Sequence, residues 1–180
     1  MEHLQYPIGR FQPQTDYTAA EINFMINFLE QAPAKFAQPL INLSEADYEK
    51  TYRPGSWTIR QLVHHVADIH LLNFLRLKKA LTEENFQFTT ILMDDWARTP
   101  DAAQAPIQDS LAMLSAITPR FVFLMRTLDE KTLSGSFYHP VRKIYLSLKQ
   151  FFYMATWHIA HHQGHIALAL GLEPQPFKLR

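Results

Sequence analysis

Histidines crowd one short stretch near the end of the chain. From Trp157 to His165 the sequence reads WHIAHHQGH, which holds four of the nine histidines in the protein. In a helix, His158 and His162 lie one turn apart on one face, and His161 and His165 share the same spacing. Two imidazoles one turn apart can bind one divalent metal ion. The stretch therefore predicts part of a metal site, with a further ligand on another element.

A helical wheel separates the two equally spaced pairs. His158 and His162 fall within the apolar arc of this helix, whereas His161 and His165 fall off it. A lone histidine on an apolar face is usually held by an ordinary hydrogen bond. Two neutral imidazoles buried side by side are costly without a partner, and a metal ion satisfies both nitrogens. We therefore predict that His158 and His162 are ligands and that burial excludes the other pair.

A second group of histidines lies upstream, in an apolar segment that also has helical periodicity. On its wheel, His65 lies on the flank of the apolar arc, His70 lies near the middle, and His64 lies outside. A long helical bundle can hold a metal site at either level. Periodicity alone therefore leaves His65 and His70 both open as the third ligand.

Composition restricts the chemistry and the partners. The chain has 180 residues, enough for one core, and nothing forces a second domain, so we predict a single domain over residues 1–180. There is no cysteine, so histidine and carboxylate must bind any metal. Seventeen basic residues balance seventeen acidic ones, without a basic run, so neither nucleic acid nor an anionic membrane is an expected partner. We expect a cytoplasmic protein, because no segment resembles a signal peptide or a membrane span.

Apolar periodicity predicts an all-α protein with four long helices, over about 18–42, 58–81, 107–128 and 147–171. Two capping boxes mark helix starts, Thr58 with Gln61 and Ser147 with Gln150. Pro33 and Pro39 should kink or divide the first helix.

Two other segments separate these helices. Residues 83–106 form a long connection that includes Asp94 and Asp95, which we place in an exposed loop, and that can contain a short helix. The segment 134–145 can form a short hairpin or an extended crossing.

Several of these segments resemble one known family. Tyr6–Gly9 (YPIG), Tyr52–His70 (YRPGSWTIRQLVHHVADIH), Phe137–Pro140 (FYHP) and Trp157–His162 (WHIAHH) occur in the order found in the YfiT-type branch of the DinB superfamily. The second and fourth segments are specific, whereas YPIG alone would be weak. The resemblance implies a DinB-like four-helix bundle with long crossover connections. It also implies a metal triad of His65, His158 and His162, with many relatives carrying glutamine at the position of His165.

The resemblance also implies a chemistry. Three histidines leave coordination positions open, as in catalytic sites, where the ion lowers the pKa of a bound water or thiol. The family includes low-molecular-weight thiol transferases of the bacillithiol type and proteins described as metal-dependent hydrolases. We therefore expect a zinc or nickel enzyme with one ion per subunit and a small-molecule substrate, with or without a thiol cosubstrate. The alternative is a non-catalytic metal- or ligand-binding stress protein.

Other polar residues are weaker candidates. Asp68, one turn after His65, could orient a ligand imidazole, although a surface position explains it equally well. Four residues could recognise an acidic cofactor, although solvated or capping roles are favoured for each: Arg76, Arg126, Tyr138 and His139. Trp96 and neighbouring aromatic residues could cover an interface, and relatives are often dimers, so we expect a homodimer.

Overall fold

Helices make up most of the molecule. In the computed structural model, which describes residues 2–179, the helices in chain order are α1 (Glu2–Gln5), α2 (Ala19–Ala37), α3 (Glu45–Tyr48), α4 (Ile59–Thr82), α5 (Met93–Trp96), α6 (Pro100–Gln104), α7 (Gln108–Arg126), α8 (Glu130–Leu133) and α9 (Leu148–Ala169). The four long ones are α2, α4, α7 and α9, so the all-α prediction is confirmed.

The four long helices pack as a bundle. Helix α2 packs on α7 and α9, and α4 packs on the same two helices, so the order around the bundle is α2, α7, α4, α9. The core between them is rich in fully buried aromatic side chains, including Phe36, Phe121, Phe151 and Phe152. Burial of each such side chain contributes about 1.5–3 kcal/mol. The arrangement makes neighbours of α4 and α9, the two helices that carry the histidines.

Side chains at the helix ends set where α4 and α9 begin and stop. The predicted capping boxes are both present, Thr58 with Gln61 before α4 and Ser147 with Gln150 before α9. Gly171 follows α9 with φ of +72°, a left-handed conformation that favours glycine and ends helices. The predicted positions of these two helices are therefore confirmed to within two residues.

The first long helix is shorter than predicted. Helix α2 ends at Ala37, and a 3-10 turn over Gln38–Leu40 contains Pro39. Pro33 lies within α2 without ending it. The predicted end at residue 42 is wrong because the α-helix changes to a 3-10 turn next to Pro39, whose nitrogen cannot donate a helical hydrogen bond.

The long connection contains short helices, as predicted, but one assignment within it is wrong. Asp94 and Asp95 lie in the first turn of α5 and not in a loop. Acidic side chains are favourable at a helix start, and Asp94 also accepts a hydrogen bond from Trp57 Nε1 at 3.1 Å. This bond fixes the connection against the start of α4.

A short hairpin, one of the two structures expected for this segment, precedes α9. Strands β1 (Ser136–His139) and β2 (Ile144–Ser147) are antiparallel, with Ser136 opposite Ser147 and His139 opposite Ile144. The hairpin also contacts the long connection, because the Phe88 N–H donates a hydrogen bond to the carbonyl oxygen of Tyr138 at 3.1 Å. The two irregular regions of the chain therefore meet beside α9.

The first residues of the chain pack on the outer side of α9. Trp157 Nε1 donates to the carbonyl of Gly9 at 3.3 Å. Gly164 allows the contact, because a Cβ atom at that position would lie 2.8 Å from Pro7 Cγ. We call residues 2–9 the N-terminal segment. Within residues 2–179 no helix combines the length and the apolar character needed to cross a membrane.

Candidate metal centre

Three imidazoles from α4 and α9 converge in the bundle. His158 Nε2 lies 3.0 Å from His65 Nε2 and 3.2 Å from His162 Nε2. The three ligand atoms form a group compact enough to hold one metal ion. The structure therefore brings together the three residues that the sequence analysis selected.

The spacing of these nitrogens fits a shared metal ion. Zinc–nitrogen bonds of 2.0–2.1 Å in tetrahedral geometry place ligand nitrogens about 3.3–3.4 Å apart. The observed separations, 3.0 and 3.2 Å, are close to that value. Hydrogen bonding alone would explain them poorly, since His158 Nε2 faces two nitrogens and has one in-plane site for a bond.

Burial keeps the three imidazoles neutral. It lowers the pKa of His65 to about 3 and holds the pKa values of His158 and His162 well below the usual range, where the neighbouring imidazoles add to the effect. Metal binding requires neutral histidine. The rings are therefore in the form that can bind an ion at neutral pH.

A hydrogen-bond chain sets the tautomer of His162. His165 Nε2 lies 3.2 Å from the carbonyl oxygen of Gln5, which can only accept, so this nitrogen carries the proton. His165 Nδ1 is then free to accept from His162 Nδ1–H at 3.3 Å. His162 consequently presents an unprotonated Nε2 to the triad. Such outer partners orient metal-binding histidines.

The hydrogen bonds from His162 through His165 to Gln5 were not predicted from the sequence, because the helical wheel placed His161 and His165 outside the buried arc. That prediction is wrong: the two residues are only 8% and 3% exposed. The N-terminal segment covers the side of α9 that the wheel left open, and Tyr6 packs near His161. Burial therefore does not distinguish the two histidine pairs, whereas convergence on His65 does.

A second histidine group overlaps the first. Ligand atoms of His161, His162 and His165 also lie within 4.8 Å of one another. However, both ring nitrogens of His165 are already engaged, and His161 stacks on Trp157 with ring centroids 4.4 Å apart. His161 Nδ1 has no hydrogen-bond partner within residues 2–179. This group therefore offers a less complete ligand set than the first.

The other two histidines of α4, His64 and His70, make hydrogen bonds outside the triad. His70 Nε2 contacts Thr118 Oγ1 on α7 at 2.9 Å, which removes it as the third ligand. His64, placed outside the buried arc by the wheel, is in fact buried, with Nδ1 2.7 Å from Ser110 Oγ and Nε2 3.1 Å from the carbonyl of Ala105. The wheel failed here because α6 and α7 cover that side of α4.

Asp68 does not take the orienting role considered for it. In the part of the chain that the structure describes, its carboxylate makes no hydrogen bond to the three converging histidines. Burial raises the pKa of Asp68, and the nearby Asp101 adds to this effect. His165 makes the orienting contact instead.

Trp57 covers one side of the histidine triad. Its ring lies 4.7 Å from the His65 ring and 6.3 Å from the His162 ring, measured between centroids. The hydrogen bond to Asp94 holds the indole in this position. The sequence analysis gave Trp57 no role at the metal site, because its position there depends on a contact with a residue 37 positions along the chain.

A pocket of about 370 Å³ opens beside His158. Its walls combine apolar and cationic side chains: Ile69, Asn73, Arg76, Phe88, Thr90, Ile91, Met93, His139, Val141, Arg142, Met154, Trp157 and His158. Two of the four residues considered for recognition of an acidic cofactor, Arg76 and His139, lie here. Arg126 pairs with Glu30 on the surface, and Tyr138 lines a different cavity of about 680 Å³ at the hairpin.

Comparison with known proteins identifies the family over most of the chain. A model of the DinB superfamily matches residues 29–166. The chain belongs to the DinB superfamily. A relative from Bacillus pumilus named "Putative metal-dependent hydrolase" is 38% identical, over 92% of this chain and 94% of its own. The Bacillus subtilis protein "Putative metal-dependent hydrolase YfiT" is 34% identical, over 91% of this chain and 92% of its own.

A solved structure extends the likeness to this DinB protein's fold. It is described as "YfiT from Bacillus subtilis is a probable metal-dependent hydrolase with an unusual four-helix bundle topology". The TM-score is 0.89 at 32% sequence identity, and the match covers 94% of this chain and 99% of that one. The predicted DinB-like bundle is therefore confirmed.

Proposed function

We propose that this protein is a divalent-metal-dependent enzyme that acts on a small molecule, with His65, His158 and His162 as ligands. The convergence of three neutral Nε2 atoms beside a pocket carries this proposal. Three protein ligands leave room for water or substrate, an arrangement typical of catalytic sites. Zinc and nickel both suit three imidazoles. One ion per subunit would supply Lewis-acid chemistry, lowering the pKa of a coordinated water or thiol.

The surrounding residues have separate tasks in this proposal. Trp57 excludes water from one side of the triad, and His165 holds His162 in the tautomer that presents Nε2. The pocket beside His158 binds the substrate next to the reacting centre. These roles require only the orientation and burial of side chains that the fold already fixes.

We propose thiol transfer as the first reaction. A low-molecular-weight thiol of the bacillithiol type would lose its proton to solvent water, and the sulfur would then form a bond to an electrophilic carbon as the bond from that carbon to a leaving group such as halide breaks. Cleavage of an amide needs a proton donor for the departing nitrogen, and no aspartate or glutamate lines the pocket within residues 2–179. Sulfur transfer with an anionic leaving group needs no such donor.

Hydrolysis is the second candidate, favoured by the names of the relatives. Esters would suit the pocket better than amides, because an alkoxide or phenolate leaves more readily than an amide nitrogen. The same three histidines would hold the metal in either reaction.

Metal analysis followed by two assays tests the proposal. Protein purified without a histidine tag should bind one zinc or nickel ion per chain. The loaded protein should conjugate a low-molecular-weight thiol to a haloalkyl electrophile faster than it hydrolyses phenyl esters or anilides. Hydrolysis alone would favour the second candidate. Bound metal with no turnover would favour the non-catalytic binding protein, and failure to bind either metal would refute the metal enzyme.

A further inference from the structure

The pocket beside His158 is lined by positively charged side chains that have no acidic partner, which is unusual for a partly enclosed site in a protein. Arg76, Arg142 and His139 line it together with His158, and its lining within residues 2–179 includes no carboxylate. The remaining wall is largely apolar. A cavity of about 370 Å³ is near the lower end of the range for ligand sites, so it suits a molecule of metabolite size.

Arg76 is buried without a counter-ion. Its side chain donates to two neutral acceptors, the carbonyl of Thr89 through Nε and Nη2 and Asn73 Oδ1 through Nη1, and its guanidinium lies 3.9 Å from the Phe88 ring centroid. No carboxylate of residues 2–179 lies within 4 Å of it. Burial lowers its pKa to about 9, so it stays charged at neutral pH. A buried charge without a partner is costly.

Two further donors stand near Arg76. The guanidinium of Arg142 lies 4.7 Å from the Phe11 ring centroid and also lacks a carboxylate partner within the described residues. The main-chain N–H of Arg142 donates to His139 Nδ1 at 3.3 Å, so the proton of neutral His139 lies on Nε2. Burial, with the two arginines, lowers the pKa of His139 to about 4. The pocket thus offers two cations and a neutral donor.

We propose that this pocket binds a small organic acid, whose carboxylate or phosphate lies among Arg76, Arg142 and His139 and whose apolar body packs on Phe88 and Met154. The anion neutralises the buried charge of Arg76, and the body fills the apolar wall. The inference rests on the proposed function only in placing the reacting bond beside His158. Anion binding itself requires neither metal nor turnover.

Metal-free protein tests the proposal, because a bound metal would also attract anions. In calorimetric titrations, 4-phenylbutanoate should bind at least tenfold more tightly than its neutral amide. Arg142→Gln should weaken binding of the acid about tenfold, as expected for loss of a charge-assisted hydrogen bond. The matched control is Arg120→Gln, an exposed arginine of α7 outside this pocket, which should leave the affinity unchanged.

A second ligand and a second variant show which anion the pocket prefers and which results would overturn the proposal. 2-Phenylethyl phosphate should bind at the same place, and either order of affinity supports the proposal and shows which anion the pocket prefers. Arg76→Lys, with folding checked by circular dichroism, should also weaken binding. Equal affinity for acid and amide, no binding of either anion, or no effect of Arg142→Gln would overturn the proposal. These results leave the metal assays unaffected, so the two proposals fail separately.

Discussion

At the scale of single residues, the metal centre depends on which nitrogen of each histidine is free. The wheel of α9 selected His158 and His162, and the structure brings them together with His65. The wheel used burial as its criterion, and burial does not separate the two pairs, because all the histidines of α9 except His158 are less than 10% exposed. Only the family resemblance favoured His65 over His70. A helical wheel shows which side of a helix a residue faces, but it does not show at which level along the helix axis a residue meets a neighbouring helix.

Alanine substitutions should separate the ligands from their neighbours. His65→Ala, His158→Ala and His162→Ala should each abolish stoichiometric metal binding, because two remaining imidazoles hold a divalent ion far more weakly. His161→Ala is the control and should retain one ion per chain, measured by elemental analysis of dialysed protein. Equal loss in all four variants would contradict the assignment.

His165 should affect the metal through His162. His165→Ala removes the acceptor for His162 Nδ1–H, and loss of such an outer partner lowers metal affinity roughly 10–100-fold. His165→Gln should restore most of the affinity, since its amide can accept from His162 and donate to Gln5. Competition with a zinc-binding dye measures both affinities. A failure of glutamine to rescue would show that the ring itself, which stacks on Tyr52, is what matters.

At the scale of elements, the helix starts were predictable and the covering segments were not. Local chemistry marks the starts, as at Thr58 and Ser147, whose side chains bond within one turn. The errors at His64, His161 and His165 share one cause. Each lies on a helix side that a distant part of the chain covers, and amphipathic periodicity does not report such contacts.

His70 links α4 to α7 and should make the metal-free protein sensitive to acid. Burial lowers its pKa from 6.5 to about 4. Between these values the unfolded chain binds more protons, so the free energy of unfolding should fall as the pH drops from about 6.5 to about 4 and be insensitive to this group above that range. The loss is about 3 kcal/mol at most. Urea unfolding at a series of pH values measures it.

His70→Gln provides the comparison for this acid effect. The glutamine amide can still donate to Thr118 but does not titrate, so the slope of stability against pH should flatten. His3→Gln, a change at an exposed histidine, should keep the original slope. Identical slopes for all three proteins would show that His70 does not titrate in this range.

At the scale of the whole molecule, most of the buried apolar side chains between Tyr17 and Ile166 form one cluster that includes all four long helices. This continuity supports the proposal of a single domain. It also explains why fold class followed from sequence: apolar periodicity over four long segments permits few arrangements other than a bundle. Pocket residues such as Arg142 were not predictable, because the hairpin and the long connection place them.

Association is the prediction that belongs to the molecule as a whole. Leu92 and Trp96, 71% and 41% exposed, present apolar surface on the long connection, and we expect a homodimer that covers it. Light scattering should give twice the chain mass of 21.0 kDa. Leu92→Glu with Trp96→Glu should halve the measured mass, whereas Phe123→Glu, at another exposed apolar residue, should not. A monomer at every concentration would contradict the prediction.

The contact between Gln5 and His165 has a consequence for biosynthesis. The two residues are 160 positions apart, so Gln5 leaves the ribosome long before its partner is made. During translation, the N-terminal segment has no α9 to pack on until Leu148–Ala169 has been synthesised. We therefore expect that metal loading follows synthesis of α9 and that it does not guide the folding of the segments made before it.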